Sequence, residues 1–326
     1  MTHAVRIHSN GGPEVLQWEK VEVPEPEAGD AIVRQVAAGL NFIDVYFRTG
    51  LYKVPAFPSV IGNEGAGVVE AVGDGVTEVE VGDRVAYCMS LGSYTQRRLI
   101  PAKQLVKIPK GISEQQAAAV MLKGCTVQYL IRQTYPVQKG ETVLFHAAAG
   151  GCGLIACQWL KHLGVRVIGT VGTAEKAELA KSHGCDHPIV YTEDNFVDRV
   201  KELTDGRGVP VVYDSVGKDT FNDSLECLQP RGLMVSFGNA SGAVEPFAPA
   251  LLAAKGSLFL TRPTLATYTA TRADLEKTTA DLFGVLSSGA VTVEVNQTYP
   301  LENAAQAHRD LEARKTTGST ILLTGV

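Results

Sequence analysis

Six apolar runs alternate with helical segments between residues 124 and 262, and this alternation constrains the fold more than any other feature. The helical segments are about ten to thirteen residues long and begin near Gly151, Ala174, Asn195, Thr220 and Phe247. The apolar runs are TVLFHA, VRVIGT, HPIVY, VPVVYDS, LMVSFG and SLFLT. Strands separated by helices are typical of a doubly wound parallel sheet. We therefore predict an α/β domain with six parallel strands over residues 124–262.

The regions on either side of this domain have a different pattern. Residues 1–123 contain short bursts rich in Val, Gly and Pro, such as AIVRQVAAG and GDRVAY, which predict an irregular β domain with tight turns. Residues 263–326 contain an amphipathic helix, a strand-like VTVEVNQTYPL, a second helix and a closing TILLTG. Because this tail is closer in pattern to the first region than to the second, we predict that it returns to complete the β domain.

A glycine cluster lies where the first of the six strands meets its helix, in VLFHAAAGGCGLIACQ. Ala148, Gly150 and Gly153 have the small-x-G-x-x-G spacing of a dinucleotide-binding turn. Small residues there permit a tight turn and let the backbone of a helix N-terminus approach a pyrophosphate. Because five further strands follow, we predict a dinucleotide site, with contacts from Gly150, Gly151, Cys152 and Gly153.

The end of the second strand indicates which dinucleotide binds. An NAD site has an Asp or Glu there for the ribose hydroxyls, but residues 166–174 contain no acid. Gly172, Thr173 and Lys176 instead offer N–H groups, a hydroxyl and an ammonium to a 2′-phosphate. Tyr191, at the end of the third strand, can wall the same pocket. We predict NADPH as the cofactor; the alternative is that Lys176 is an ordinary surface lysine at a helix start.

Composition narrows the class of partner. The formal net charge of −5 shows no excess of the basic residues that bind nucleic acid, so we do not expect nucleic-acid binding. We find no signal peptide and no apolar run near the roughly 20 residues of a membrane helix. The six cysteines form no C-x-x-C pair, which favours free thiols in a reducing compartment. We expect a cytoplasmic protein without a membrane partner.

Two long stretches carry a family resemblance. GNEGAGVVEAVGDGVTEVEVGDRV and KGETVLFHAAAGGCGLIACQWLK resemble signatures of the medium-chain dehydrogenase/reductase superfamily, in its quinone oxidoreductase (zeta-crystallin-like) branch. The resemblance extends over essentially the whole chain. It implies a Rossmann sheet for the α/β domain, a GroES-like fold for the β domain, and transfer of hydride from NADPH to quinones.

The chain departs from the zinc-dependent members of this superfamily at the metal positions. Those members have a Cys where this chain has Asn41 and a His where it has Asn63. They also have a loop with four cysteines that bind a structural zinc, whereas in this chain Cys88 is the only cysteine between Val85 and Pro101. Because amides are poor zinc ligands, we predict no metal and a zinc-independent reaction.

The resemblance also implies roles for individual residues. Asn41, Tyr46 and Tyr52 correspond to the catalytic side of the cleft, where Asn41 and Tyr46 line the nicotinamide and Tyr52 bounds the quinone. For Tyr46 and Tyr52 the competing interpretation is packing beneath a loop. For Arg262 and Arg314 it is a solvated position on the surface. His146 precedes the glycine turn and is expected to pack in the interior rather than to donate a proton. Further cofactor contacts correspond to Thr126, Tyr129, Ser215, Phe237, Gly238, Arg262 and Arg314.

Two other functions remain open at this point. A reductase of enals, enones or enoyl thioesters has the same fold and cofactor and also lacks zinc. A non-catalytic NADPH- or RNA-binding protein, like some crystallin relatives, is the other. The physiological acceptor is left open by the sequence. The apolar segment KGSLFLTRPT reads as the edge strand of the sheet, and an open edge predicts a homodimer.

Overall fold

The computed structural model describes residues 2–326, and the chain forms two compact units. The first unit comprises the chain up to Cys125 together with Thr269–Ser287 and Val293–Val326. The second comprises Thr126–Tyr268 and Ser288–Thr292. As limits of folding domains, the boundaries after residues 123 and 262 stay a prediction.

The strands and helices within residues 2–326 are numbered separately in chain order. The strands are β1 Thr2–Ile7, β2 Gln17–Val21, β3 Asp30–Gly39, β4 Ser59–Val60, β5 Glu64–Val72, β6 Arg84–Cys88, β7 Arg97–Pro101, β8 Val106–Lys107, β9 Thr142–Phe145, β10 Arg166–Val171, β11 His187–Val190, β12 Val209–Asp214, β13 Leu228–Ser236, β14 Phe259–Thr261, β15 Val295–Pro300 and β16 Ser319–Leu323. The α-helices are α1 Phe42–Thr49, α2 Glu114–Tyr129, α3 Gly151–His162, α4 Ala174–Ser182, α5 Phe196–Leu203, α6 Phe221–Glu226, α7 Ala250–Ala254, α8 Leu265–Tyr268, α9 Arg272–Ser287 and α10 Ala304–Glu312.

The first unit is a mixed β structure that the end of the chain completes. Its larger sheet has the order β15-β16-β3-β5-β6-β8, with β7 also paired to β3, and a smaller sheet has the order β2-β1-β4. The returning strand β16 pairs antiparallel with β3, with Leu322 opposite Ala38. The predicted return of the tail to the β domain is therefore confirmed.

The second unit contains the predicted six-stranded sheet, in the order β11-β10-β9-β12-β13-β14. Every neighbouring pair is parallel. Buried aliphatic side chains such as Leu144, Ile168 and Val212 fill one cluster of its core. The order reverses between β9 and β12, which places a crevice at the carboxyl ends of these strands, where open α/β sheets bind ligands.

The expected helix lengths were wrong for the later helices of this unit. α3 has 12 residues, but α6 has 6 and α7 only 5. α7 also begins at Ala250 rather than near Phe247, because Pro249 occupies its N-cap. Gly256, with φ of 108°, stops the chain from continuing as a helix soon afterwards.

Two further expectations concern membrane-spanning helices and the pairing of cysteines. Of the helices within residues 2–326, none combines the length and the apolar character that crossing a bilayer requires. All six cysteines lie in this part of the chain and are free thiols.

Candidate active site

The turn between β9 and α3 carries the glycine cluster. A Cβ on Gly153 would lie 2.3 Å from the carbonyl oxygen of Ala147 and 2.5 Å from that of Ala148. Helix and turn can therefore approach this closely only without a side chain at residue 153. Gly150 is the N-cap of α3, and a Cβ there would lie 3.2 Å from the Ala147 oxygen. The first turn of a helix directs N–H groups and a positive dipole end at an anion. Here those groups belong to Gly151, Cys152 and Gly153.

The residues just before the glycines are held firmly. Ala147 has φ of 54°, a left-handed conformation that costs a non-glycine residue about 1–2 kcal/mol. Beside it the buried ring of His146 is hydrogen-bonded to Thr170 Oγ1 at 2.8 Å and to Ser224 Oγ at 2.9 Å. Burial lowers the pKa of His146, so the ring is neutral at pH 7. His146 therefore packs in the interior, as its strand position predicted, and its hydrogen bonds fix the residues beside the turn.

The four residues predicted to hold a 2′-phosphate lie together at the end of β10. Thr173 is the N-cap of α4, and its hydroxyl accepts a hydrogen bond from the Lys176 backbone at 3.3 Å. The Tyr191 hydroxyl covers Gly172, where a Cβ would lie 2.9 Å from it. Thr173 is exposed and Lys176 half-buried, so both side chains are accessible to a ligand.

An acidic residue that the sequence reasoning did not consider lies beside this group. Glu175 follows the acid-free segment 166–174 by one position and is exposed. A hydrogen bond with the Thr173 side chain lowers the pKa of Glu175, which is therefore ionised at pH 7. The carboxylate opposes a phosphate at the same place, because like charges repel.

The carboxyl ends of β12, β13 and β14 bring four more predicted residues together. Gly238 follows β13 so closely beside Ser215 that a Cβ on it would lie 2.3 Å from the Ser215 oxygen. Phe237 packs its ring 5.8 Å from that of Phe145. Arg262, just beyond β14, donates from Nη1 to the Ser236 oxygen at 2.8 Å. These residues line the crevice side of the sheet.

Two predicted cofactor residues near the end of α2 are buried. Thr126 is 7% exposed and Tyr129 2% exposed. The Tyr129 ring stacks on Tyr268, with centroids 4.5 Å apart and planes 13° from parallel. This ring therefore packs within its own unit, and its contact with a cofactor stays a prediction.

In the first unit, Asn41 lies at the N-cap of α1, where two carboxylates fix it. Its Nδ2 donates to Glu64 Oε1 at 2.7 Å, and its backbone N–H donates to Asp44 Oδ2 at 2.9 Å. Glu64 is fully buried and accepts two further bonds, from Lys123 Nζ at 2.8 Å and from the Leu122 N–H at 2.6 Å. The amide of Asn41 is therefore held in one orientation by a buried ion pair.

Asp44 is the second buried carboxylate. Besides the Asn41 N–H it accepts from Asn63 Nδ2 at 2.8 Å and from the Tyr94 hydroxyl at 3.0 Å. Burial raises the pKa of Asp44 to about 7, against the lowering effect of these three donors; the Glu64 charge raises it further. Asp44 therefore titrates near neutral pH, directly beside Asn41.

The remaining predicted residues of this unit are two tyrosines near α1 and Arg314. Tyr46 is on α1, and Tyr52 follows it, with an N–H bond to the Tyr46 oxygen at 3.0 Å. The Tyr52 ring meets those of Tyr46 and Phe47 edge-on, at 5.3 and 5.7 Å between centroids. Arg314 is exposed just after α10 and has φ of 57°. The edge-on contacts show that Tyr52 does pack locally, although both tyrosines are only half-buried.

Comparison with known proteins places these features in a family. Residues 27–110 match the model described as alcohol dehydrogenase GroES-like domain, and residues 151–282 match the model described as zinc-binding dehydrogenase. A quinone oxidoreductase of Pseudomonas aeruginosa is 54% identical over 99% of this chain and 100% of its own. The chain belongs to the quinone oxidoreductase branch of the medium-chain dehydrogenase/reductase superfamily.

Two further relatives extend the comparison within this branch. The crystal structure of Escherichia coli quinone oxidoreductase complexed with NADPH superposes with a TM-score of 0.97 and 49% identity. The match covers 98% of this chain and 99% of that one. A 2-haloacrylate reductase of a Burkholderia species is 46% identical over 99% of both chains. The Rossmann and GroES-like folds implied by the sequence are thereby confirmed.

One of the two matching family models is described as zinc-binding, but the residues of this chain at the metal positions do not suit zinc. Asn41 and Asn63 direct N–H groups at Glu64 and Asp44, and the Lys123 ammonium lies 2.8 Å from Glu64. A cation here would meet two amide N–H donors and the Lys123 ammonium, and these groups already occupy the carboxylate oxygens of Glu64 and Asp44. Within residues 2–326, no group of three or more His, Cys, Asp or Glu side chains is arranged to hold a metal ion.

Proposed function

We propose that the chain is a zinc-independent NADPH:quinone oxidoreductase. The observation that carries this is identity of about half over the full length with proteins named quinone oxidoreductase, one of them solved with NADPH. The site residues support it. Small residues make the cradle at the glycine turn, and amides replace the metal ligands at Asn41 and Asn63.

Each group of predicted residues has a proposed part in holding NADPH. The first turn of α3, from Gly150 to Gly153, binds the pyrophosphate with backbone N–H groups. Thr173, Lys176 and Tyr191, beside Gly172, bind the 2′-phosphate. The remaining contacts to ribose, phosphate and nicotinamide come from Thr126, Tyr129, Ser215, Phe237, Gly238, Arg262, Arg314, Asn41 and Tyr46.

In the proposed chemistry the main role of the protein is to position NADPH and the acceptor. NADPH, when bound, supplies a hydride. The Asn41 amide, fixed by Glu64, orients the reacting partners and offers an N–H to oxygen as negative charge develops. Tyr46 and Tyr52 bound the space for a flat acceptor, and water supplies the proton that completes the quinol.

A second candidate is reduction of an activated C=C bond, which the 46% identical 2-haloacrylate reductase favours. Both functions are tested by steady-state NADPH oxidation after prolonged dialysis against a strong chelator. We expect 1,4-benzoquinone and 9,10-phenanthrenequinone to be turned over with kcat/KM well above that of 2-alkenals, crotonyl thioesters or 2-haloacrylates. A higher kcat/KM for any of the alkenes would replace the quinone assignment, and activity that returns only with zinc would refute zinc independence.

The native enzyme should prefer NADPH over NADH by at least about tenfold in kcat/KM. A charge-assisted hydrogen bond contributes about 1.5–3 kcal/mol, which corresponds to about tenfold to hundredfold. The Glu175 carboxylate and solvent screening push the value toward the lower end. Lys176→Ala should shrink the preference through KM for NADPH, whereas Glu175→Gln should enlarge it. NADH kinetics of both variants are the control; equal native efficiency with both cofactors would show that the phosphate site is misassigned.

We further propose a homodimer formed through β14 in the cytoplasm. β14 is one of the two edge strands of its sheet, and Phe259 on it is 62% exposed, a combination that favours pairing across a twofold axis. Light scattering should give twice the chain mass of 34.7 kDa, and Phe259→Glu should give the single mass. Native protein that scatters as one chain at micromolar concentration contradicts the proposal. The free thiols support a reducing compartment, which fractionation of the source cells tests.

A further inference from the structure

Three side chains that the proposed chemistry does not use form a buried chain ending on Asp44. Arg48 is 1% exposed, and Tyr94 and His308 are fully buried. Arg48 Nη1 lies 3.0 Å from His308 Nδ1, His308 Nε2 lies 3.1 Å from the Tyr94 hydroxyl, and that hydroxyl lies 3.0 Å from Asp44 Oδ2. At its outer end Arg48 makes two bonds to the partly exposed Glu312, at 2.8 and 2.9 Å.

The chemistry of these groups gives every hydrogen bond one direction. A guanidinium can only donate, so His308 Nδ1 accepts and its proton is on Nε2. Burial, with the Arg48 charge, lowers the pKa of His308 to about 3, which keeps the ring neutral. Nε2–H then donates to the Tyr94 oxygen, whose own proton is left for Asp44. Burial also raises the pKa of Tyr94 well above its usual range, so the hydroxyl keeps that proton.

Close packing against the backbone of Gly62 fixes the position of the Tyr94 ring. The φ of Gly62 is 94°, and a Cβ on that residue would lie 2.3 Å from the ring. The hydroxyl therefore reaches Asp44 without freedom to turn away. We propose that Arg48, His308 and Tyr94 are positioning residues that hold Asp44 as an ionised acceptor, which in turn fixes the orientation of Asn41 and Asn63.

Protonation of Asp44 would break this arrangement. An ionised carboxylate accepts all three of its donors, whereas a protonated one must itself donate and loses one of them. Asp44 faces Tyr94 and Asn63, the Glu64 carboxylate with its Lys123 partner, and, through Tyr94, the His308–Arg48–Glu312 group. His308 stays neutral near pH 7, so the charge that changes there is that of Asp44. The competent state is lost as pH falls through about 7.

The inference rests on the proposed function for Asn41, and its test has a part that needs no turnover. In protein labelled with ¹³C at aspartate carboxyls, we expect one signal that titrates near pH 7 and is missing in Asp44→Asn. In Tyr94→Phe it should titrate about one unit higher, because one donor to the carboxylate is lost. Tyr87→Phe, which removes a fully buried hydroxyl bonded to Gln35 instead, should leave it unmoved.

The kinetic part of the test asks whether ionisation of Asp44 affects the rate of quinone reduction. kcat for quinone reduction should fall below pH 7, and its acid limb should move upward by about one unit in Tyr94→Phe but not in Tyr87→Phe. His308→Gln, which keeps one acceptor and one donor, should retain the native limb, whereas His308→Leu should shift it upward.

The outcomes separate the two proposals. An Asp44 signal or a kcat limb that is unmoved in folded Tyr94→Phe overturns the positioning role. If His308→Gln fails to fold, the Tyr94→Phe titration still decides. A shifted Asp44 signal in a protein that reduces no quinone supports the chain of donors and refutes the proposed function instead.

Discussion

Replacing Lys123 by Met should lower the free energy of unfolding of its unit by about 3–5 kcal/mol. The Lys123 and Glu64 side chains are 7% and 0% exposed, and their atoms are 2.8 Å apart. Removing one partner leaves the Glu64 charge buried among groups that cannot neutralise it, and this desolvation cost dominates. Because Glu64 also holds the Asn41 amide, kcat should fall with stability.

A matched variant separates this effect from the loss of any lysine. Lys107 pairs with Asp83 at 2.7 Å in the same unit, but its side chain is 53% exposed. Lys107→Met should therefore cost much less stability than Lys123→Met, as is usual for exposed pairs. In the double variant Lys123→Met/Glu64→Gln, most of the lost stability should return, because no unpaired charge remains.

The measurement has to report on one unit at a time, since a chain with two units need not unfold in one step. The two tryptophans allow this: Trp18 lies on β2 and Trp159 on α3. In a Trp159→Phe background, urea unfolding followed by fluorescence reports the unit that contains Lys123. Losses of equal size for Lys123→Met and Lys107→Met would contradict the importance we assign to the buried pair.

The elements that could be predicted from the sequence are those with a local signature. The inner strands β9, β10 and β12 are buried along most of their length and appear as mainly apolar runs. The edge strands β11 and β14 are partly exposed, but their segments HPIVY and SLFLT are still mainly apolar, so all six strands were found. The glycine turn was found because helix packing and anion binding both require small residues at fixed spacing. Helix lengths were overestimated because Pro249 and Gly256 set limits that periodicity does not show.

The buried polar groups could not be predicted in this way. Arg48 and His308 are 260 positions apart, and Tyr94 and His308 are 214 apart, so no local pattern joins them. In the sequence, His308 belongs to the polar positions of α10. Only in the folded chain, where the tail returns to the first unit, does it lie beside Tyr94. Glu64 likewise pairs with Lys123, which lies 59 residues away on α2. A single sequence contains no signal for such pairs.

The second large effect concerns two glycines of one turn, which should respond differently to the same change. Gly153→Ala should cost about 1–3 kcal/mol of stability, because its Cβ would overlap the backbone oxygens of Ala147 and Ala148 and must displace α3. The displaced helix N-terminus should also weaken NADPH binding by about tenfold or more.

Gly150→Ala should instead change stability by less than about 0.5 kcal/mol, since its nearest backbone contact is 3.2 Å and its φ of −83° suits any residue. In the proposed cofactor site the added methyl group would lie where the pyrophosphate approaches, so NADPH binding should weaken by about tenfold at unchanged stability. Gly284→Ala is the control: nothing lies within 4 Å of its Cβ on α9, and it should stabilise the protein by up to about 1 kcal/mol.

Trp159 fluorescence in a Trp18→Phe background gives the stability of the unit that holds the turn, and calorimetric titration with NADPH gives the affinity. The division of roles rests on distance alone, 2.3 Å against 3.2 Å to the same Ala147 oxygen. Equal stability losses at Gly153 and Gly150 would mean that the turn yields as a whole. Unchanged NADPH affinity in Gly150→Ala would place the pyrophosphate away from the N-terminus of α3, and the cofactor site would have to be sought elsewhere on the carboxyl edge of the sheet.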